Sequence, residues 1–551
     1  MSVKKQGFIQ GAMILMAANI LIKLIGALFK IPLTNMVGDT TMAYFNSAYS
    51  FYVLFFMIST SGLPVAVSRM IAAANARNNK TEINRIFKIS FRLFFILGIT
   101  GTAIMAALSR VFANMAEMPE AFRPILAISP TVFFICIISS FRGYFQGHQN
   151  MTPTAFSQTI EALGKLFIGL AAGKIAIDSG CSESEVAAYV ILGVTVGVVF
   201  SCLSLIIAKY FSQRDEKARD SRLDPPEKMK TSRQLTKELI SIAIPITVAS
   251  SIMSLTGVID TSLVVSRLIN CGVDEQSAIK MFGAYTSKSV TMYNLPPTLI
   301  YPFSISLIPT VSAAVTLGDK KKLKHIVIST MRIVSVISVP CAIGLSAMAR
   351  PVLSFLYTNN AVIYINAAGK QVTSLDVAAP LLSVLAIAVF FVGMIAVTGA
   401  VLQGHGYERL SIISTFVGVL IKFVSAYILI GIPSIGIYGT PISTILCYFV
   451  MLCMNFAFIA KFTGLRPSLS EVLMKPFLAS AACGLSAVMF YTALSLIHKG
   501  RIATAVSIVL AIVVYVVVLC AIGGISRDDL ILLPKGKRII SLFTKLKLIK
   551  D

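Results

Sequence analysis

At 551 residues, 56% of them hydrophobic and only 13% charged, with a mean hydropathy of +0.83, the chain holds too much apolar surface for a water-soluble protein. Its 48 Lys and Arg against 24 Asp and Glu leave a formal charge of +24, which in a soluble chain would point to nucleic acid. Apolar runs of about 20 residues recur from end to end without strand-type alternation, so the chain reads as an all-α polytopic membrane protein, not a β-barrel. The basic excess is then a positive-inside bias, and no nucleic-acid partner is expected.

About 14 spans are predicted, near 9–34, 44–67, 88–109, 124–145, 154–177, 186–209, 239–266, 285–315, 325–348, 377–402, 410–431, 436–460, 474–497 and 502–524. The first begins after Lys4 and Lys5, as a signal peptide does. It is too long for one and lacks a small-residue cleavage site, so an uncleaved anchor is expected. Residues 8–33 are apolar but carry Lys23 and Lys30. Seven residues are two helical turns, so both ammonium groups fall on one face, roughly 10 Å apart. A lysine at the centre of a lone membrane helix is disfavoured by roughly 2.5–3.5 kcal/mol. Such a face turns to water, a partner or an anion, or its lysines snorkel to the interface, the reading that suits Lys30 beside Pro32 better than it suits Lys23.

Loop charges alternate. Arg69, Arg77, Lys80, Arg85 and Lys88 follow span two, with Glu82 as their one acid. The 209–238 loop holds nine Lys and Arg, Lys320 to Lys324 follow span eight, and seven basic residues occupy the stretch from Arg527. With 14 spans all of these share one side, which predicts that both termini are cytoplasmic. The segment from Arg538 to Lys550 mixes apolar and basic residues and reads as either an interfacial helix or a basic tail.

The 209–238 loop, with Asp224-Pro225-Pro226-Glu227, divides the chain after six spans. An internal repeat fits that division. Phe145-Gln146-Gly147-His148 recurs as Leu402-Gln403-Gly404-His405, and at the same offset Ser157 matches Ser414, Leu163 matches Leu420 and Lys165 matches Lys422. Two pseudo-symmetric six-helix lobes follow, over 1–238 and 239–470, with two further helices and the tail over 471–551.

No catalytic constellation is present: there is no nucleophile elbow, no Walker loop and no metal-ligand cluster. The nine cysteines form no C-x-x-C pair, so neither a zinc site nor a disulfide framework is indicated. No enzyme activity, metal or cofactor is expected. The informative residues are the charges within spans. Lys165 and Lys422 lie mid-span, and Glu161 sits one turn before Lys165, where it can form a structural ion pair or serve as a cavity charge. Asp260 is deep in span seven and can pair with a lysine or bind a proton or sodium ion. Lys288 opens span eight, which Pro296, Pro297 and Pro302 interrupt; with Gly26 these are the candidate hinges. Arg142 falls at a span end and reads as an anchor. Cations outnumber acids, which suits a phosphate-bearing substrate held by charge-assisted hydrogen bonds.

The stretch Arg142-Gly143-Tyr144-Phe145-Gln146-Gly147-His148-Gln149, with Thr152-Pro153-Thr154 and Ser157-Gln158, resembles the polysaccharide-biosynthesis and MurJ-type flippases of the multidrug/oligosaccharidyl-lipid/polysaccharide (MOP) superfamily. Lys23-x-x-Gly26 is similar to a first-helix basic residue and glycine of its Gram-positive, stage V sporulation protein B-like branch. The likeness covers essentially the whole chain. It implies two six-helix lobes around a cationic cavity, alternating access, and a lipid-tail groove at spans thirteen and fourteen. By position, Lys23 and Lys288 match family basic residues. Span two departs: Phe55-Phe56-Met57-Ile58-Ser59-Thr60-Ser61 stands where better-studied Gram-negative members carry arginines and a glutamate.

The expected function is therefore a flippase that carries an undecaprenyl-diphosphate-linked cell-wall precursor across a bacterial plasma membrane. Lys23, Lys30, Lys165, Lys288 and Lys422 are its candidate substrate-binding residues, and Asp260 and Glu161 its candidate coupling or cavity charges. Expected partners are the lipid-linked glycan and membrane lipids; a cell-wall polymerase is left open. The alternatives are an ion-coupled multidrug antiporter, a flippase for another lipid-linked polysaccharide, and a membrane scaffold.

Overall fold

A computed structural model describes residues 8–77, 79–219, 231–365, 369–465, 469–497 and 500–524. The Asp224–Glu227 linker and the basic tail lie outside them. The described chain is almost entirely helical and forms two compact units, Met1–Ile269 with Ala278–Gly283, and Asn270–Ser277 with Ala284–Asp551. Span seven therefore groups with the first unit by its contacts.

The first unit contains α1 (Phe8–Val37), α2 (Asp39–Thr60), α3 (Gly62–Ala76), α4 (Lys80–Ala107), α5 (Ser109–Met115), α6 (Phe122–Gly147), α7 (Thr152–Asp178), α8 (Glu183–Arg219) and α9 (Ser232–Asn270). Span two is broken between α2 and α3. The hydroxyls of Ser59, Thr60 and Ser61 each donate to the carbonyl four residues back, a competition with the backbone ladder that bends helices. Gly62 follows at a crowded point, where a Cβ would lie 2.1 Å from the Ala243 carbonyl of α9. Helix α6 is the most enclosed span, packed against α2, α3, α4 and α8.

The second unit begins with α10 (Glu275–Ala284), whose Ala278–Gly283 stretch groups with the first unit. A π-helical turn at Tyr285–Ser289 leads into α11 (Val290–Tyr293) and then α12 (Leu295–Thr316), which starts on Pro296 and Pro297 and carries Pro302 and Pro309. Prolines at the first helical turn replace N–H groups that lack partners anyway, whereas the internal pair removes ladder bonds. After α13 (Lys320–Ala347) and α14 (Ala349–Leu356) comes a short antiparallel hairpin, β1 (Val362–Ile365) and β2 (Gln371–Thr373), which span reading does not detect. The chain continues through α15 (Ser374–Leu385), α16 (Ala388–Gly404), α17 (Glu408–Ile430), α18 (Gly439–Phe462), α19 (Leu469–Ile497) and α20 (Arg501–Ala521). The last two pack on α13 through Met348, Ala479, Cys483, Ala487, Ala511, Tyr515 and Leu519, and the Tyr515 hydroxyl donates to the Val336 carbonyl at 2.7 Å.

Thirteen described helical segments are long and apolar enough to cross a membrane. The remaining expected span is α7, whose 27 residues are sufficient in length at about 1.5 Å each; Glu161, Lys165, Lys174 and Asp178 lower its hydropathy. The fold is that of an all-α polytopic membrane protein of about 14 transmembrane helices.

The repeat is visible inside each unit. Gly147 on α6 abuts Ile71 and the Ser68 carbonyl of α3; Gly404 on α16 abuts Val311 and the Ile308 carbonyl of α12. His148 Nδ1 lies 2.9 Å from the Tyr144 carbonyl, and His405 Nδ1 lies 2.8 Å from the Val401 carbonyl. Helix α4 is capped by Asn79, which accepts from the Glu82 amide, and α13 by Asp319, which accepts from the Lys322 amide. The Q-G-H pattern thus marks a close helix crossing: glycine admits the neighbouring helix, and histidine ties down the last turn.

Candidate functional site

Small residues bring α7 against α8. A Cβ on Gly164 would lie 2.5 Å from the Gly197 Cα, and one on Gly193 would lie 2.4 Å from the Gly169 Cα. Backbones approach this closely only without side chains, the usual way membrane helices pack. The seam fixes the rotation of α7, and with it the direction of Lys165, the residue after Gly164. Helix α1 covers the neighbouring face, with Phe29 and Leu33 fully buried.

Lys165 Nζ lies 5.0 Å from the centroid of the Phe29 ring and 4.4 Å from that of Tyr49 on α2. Both rings present π-electron faces that attract an ammonium, by about 0.5–2 kcal/mol depending on desolvation. Tyr49 belongs to an aromatic run along α2, stacked on Phe45 at 5.9 Å and tilted against Tyr52 at 5.6 Å. Lys30, half-buried one residue beyond Phe29, lies within electrostatic reach of Lys165.

Glu161, on the same helix as Lys165, is engaged by a neighbouring helix. Its Oε2 forms an ion pair at 3.0 Å with Nη2 of Arg142 on α6. Arg142 is buried, 6% exposed, and its Nε donates to the Ser157 hydroxyl at 3.4 Å. The anchoring role read for Arg142 from its place near a span end is therefore replaced by an internal ion pair. Tyr52 lies within electrostatic reach of both members. Arg142 thus engages the acid of α7, while Lys165 and Lys30 lie within electrostatic reach of each other. The missed clue is in the repeat: at the offset that aligns Lys165 with Lys422, Arg142 falls on Gly399 and Glu161 on Gly418, so both charges are absent from the second copy.

In the second unit, Lys288 is 1% exposed inside the π-helical turn and donates to the Ser374 hydroxyl at the start of α15. Ser289 donates to the Ala378 carbonyl at 2.8 Å, and the Tyr357 hydroxyl donates to the Ser287 carbonyl at 3.2 Å, so the turn is tied to its surroundings at three points. Lys422 on α17 is 3% exposed. Two turns before it, Ser414 donates to Asn455 Oδ1 at 2.6 Å, and Asn455 Nδ2 donates to Thr398 Oγ1 at 3.1 Å, a buried network joining α16, α17 and α18. Lys288 and Lys422 are enclosed in this structure, whereas Lys165 and Lys30 are partly open.

Lys23 is exposed on α1 between exposed Leu21 and Leu24, and a Cβ on Gly26 would meet nothing within 4 Å, so no packing demand explains that glycine. Asp260 is half-buried on α9, where the Thr261 hydroxyl donates to the Gly257 carbonyl at 2.9 Å. Pro296 and Pro297 are buried at the start of α12. Among the described residues no group of three or more His, Cys, Asp or Glu is placed to hold a metal ion.

Comparison with known proteins places this geometry. Residues 8–315 match the family described as polysaccharide biosynthesis protein. Stage V sporulation protein B of Bacillus subtilis (strain 168) is 25% identical over 97% of this chain and 99% of its own length. Lipid II flippase MurJ of the same organism is 24% identical over 83% of each chain. Among solved structures, an inward closed conformation of lipid II flippase MurJ superposes with a TM-score of 0.67 at 14% identity, covering 92% of this chain and 98% of that one. An inward-facing multidrug resistance MATE transporter of the MOP superfamily gives 0.61 at 17% identity, over 82% and 99%. The match over more than half of the chain makes this protein a member of the polysaccharide biosynthesis protein family, and its fold is the one shared by these MurJ and MATE structures.

Proposed function

We propose that the chain is a flippase for an undecaprenyl-diphosphate-linked cell-wall precursor of the lipid II type, moved from the inner to the outer leaflet of the bacterial plasma membrane by alternating access. The observation that carries this reading is the arrangement around α7. Lys165 stands on two aromatic faces with Lys30 in reach, while the nearby acid is engaged by Arg142. A locally cationic site of this kind suits a diphosphate, which offers several acceptor oxygens to charged donors. Lys23 extends the same face of α1 by two turns, and Lys288 and Lys422 supply further cations once the second unit changes conformation. Gly26, Pro296, Pro297 and Pro302 are the proposed bending points. The basic loops support both termini in the cytoplasm, and the linker supports lobes at 1–238 and 239–470, followed by 471–551, with span seven making its contacts in the first unit.

An inside-negative potential favours outward movement of an anion by about 2.3 kcal/mol per charge per 100 mV, which gives the cycle a drive without a nucleotide site. Asp260 or Glu161 would provide ion coupling if potential alone does not suffice. The likeness to MATE transporters supports a second reading, an ion-coupled multidrug antiporter; the cationic character of the α7 site weighs against cationic drugs. The test is the appearance of precursor on the outer leaflet of cells depleted of their own flippase and expressing this chain, with Lys23→Ala compared at equal membrane levels. Translocation by the wild type but not the variant is expected. Absence of translocation by both overturns this substrate, and a fully active Lys23→Ala removes that lysine from the site.

A further inference from the structure

We propose that Arg142 is a positioning residue that holds Glu161 away from Lys165, so that the Lys165 ammonium keeps its charge available for an anionic headgroup. The inference rests on the flippase reading above and deepens it.

Glu161 and Lys165 are spaced i, i+4 with the acid first, the order that favours pairing along a helix. Left to local preference, α7 would neutralise its own lysine. Instead the carboxylate is drawn to α6, 3.0 Å from Arg142 Nη2. Arg142 is oriented at a second point by Ser157 on α7, whose oxygen accepts from Nε at 3.4 Å while its own hydroxyl donates to the Thr154 carbonyl at 2.9 Å. With Glu161 so held, Lys165 lies over two ring faces, Phe29 from α1 and Tyr49 from α2. A ring face attracts an ammonium without cancelling its charge, so the contact orients the lysine and leaves it able to bind an anion.

The repeat supplies an independent observation. In the second copy, Gly399 replaces Arg142 and Gly418 replaces Glu161, while Ser414 and Lys422 persist. The fold therefore does not require the pair; Gly418 instead lets α17 approach Met451 and the Cys447 carbonyl of α18. Acid and arginine are present together beside Lys165 and absent together beside Lys422. An arginine needed only because a glutamate is present would show this pattern. Losing it frees Glu161 to rotate back along α7 onto Lys165.

The test uses the full-length chain in detergent micelles with farnesyl diphosphate as the probe and measures equilibrium binding for the wild type, Arg142→Ala, Glu161→Gln and the double variant. Arg142→Ala is expected to bind about tenfold more weakly, the equivalent of one charge-assisted contact, and the double variant to recover to within about threefold of wild type. A merely structural arginine predicts the reverse, since the double variant lacks the same packing. A double variant as weak as Arg142→Ala, or an Arg142→Ala that binds as the wild type does, overturns the proposal. If Arg142→Ala fails to fold, the comparison of Glu161→Gln with the double variant decides. With the acid gone, loss of the arginine should change binding by less than about threefold, and a loss of tenfold or more refutes the role. Wild type that binds no diphosphate refutes the flippase reading itself and this inference with it.

Discussion

Replacing Lys165 with methionine keeps most of the side-chain volume against Phe29 and Tyr49 and removes the charge. A charge-assisted hydrogen bond from an ammonium to phosphate contributes about 1.5–3 kcal/mol. Two adjustments follow from the surroundings. The rings, 4.4 and 5.0 Å from Nζ, already satisfy part of the ammonium, so a ligand gains less than the full amount. Lys30 is in electrostatic reach of Lys165, so removing one cation relieves repulsion on the other. Both reduce the loss, leaving about 1.5 kcal/mol, or near tenfold in Kd for farnesyl diphosphate. Neutral farnesol should bind both proteins alike, because the apolar part of the site is unchanged. Calorimetric titration of the purified full-length chain measures both ligands. Diphosphate binding by Lys165→Met within twofold of wild type, or equal losses for farnesol, would refute the assignment of Lys165 as an anion ligand.

Two further outcomes test the scaffold. Gly164→Ala places a methyl 2.5 Å from the Gly197 backbone, so α7 must move off α8. Overpacking of this kind costs about 1–3 kcal/mol and should lower the thermal midpoint, while Gly344→Ala, where nothing lies within 4 Å, should not. Asn455→Ala leaves Ser414 and Thr398 without their shared partner where none of the three is exposed, which should cost about 1–3 kcal/mol in denaturant titration; an unchanged midpoint would mean the site relaxes around the lost amide.

The membrane architecture is legible in the sequence because lipid demands it: a span must satisfy its backbone internally, and apolar runs of helical length follow. The spans, the repeat and the proline break in span eight could all be read from residue order. The break after Thr60 could not, since it depends on three hydroxyls folding back on their own helix and on Gly62 meeting α9. The pairing of charges was also hidden. Spacing along one helix puts Glu161 with Lys165, and only packing reveals Arg142 as the partner. Burial was hidden for the same reason: Lys165 and Lys422 occupy matching places in the repeat, yet one is partly open and the other 3% exposed. Hydropathy cannot separate them, because exposure depends on what the neighbouring helices place opposite each lysine.

That difference bears on how a repeated bundle responds to a ligand. The residues shared by the two copies are those that set geometry: glycines at crossings, Asx caps at helix starts, and histidines closing the Q-G-H turns. What the copies do not share is charge. The first has Arg142 and Glu161 and a lysine on aromatic faces; the second has two glycines, a polar network through Asn455 and an enclosed lysine. Two identical anion sites would hold a diphosphate equally well from either half, and equal binding shifts no equilibrium. Under the proposed flippase reading, unequal sites would give the diphosphate a different affinity as each becomes accessible, and that differential affinity would let it shift the populations of the two conformations.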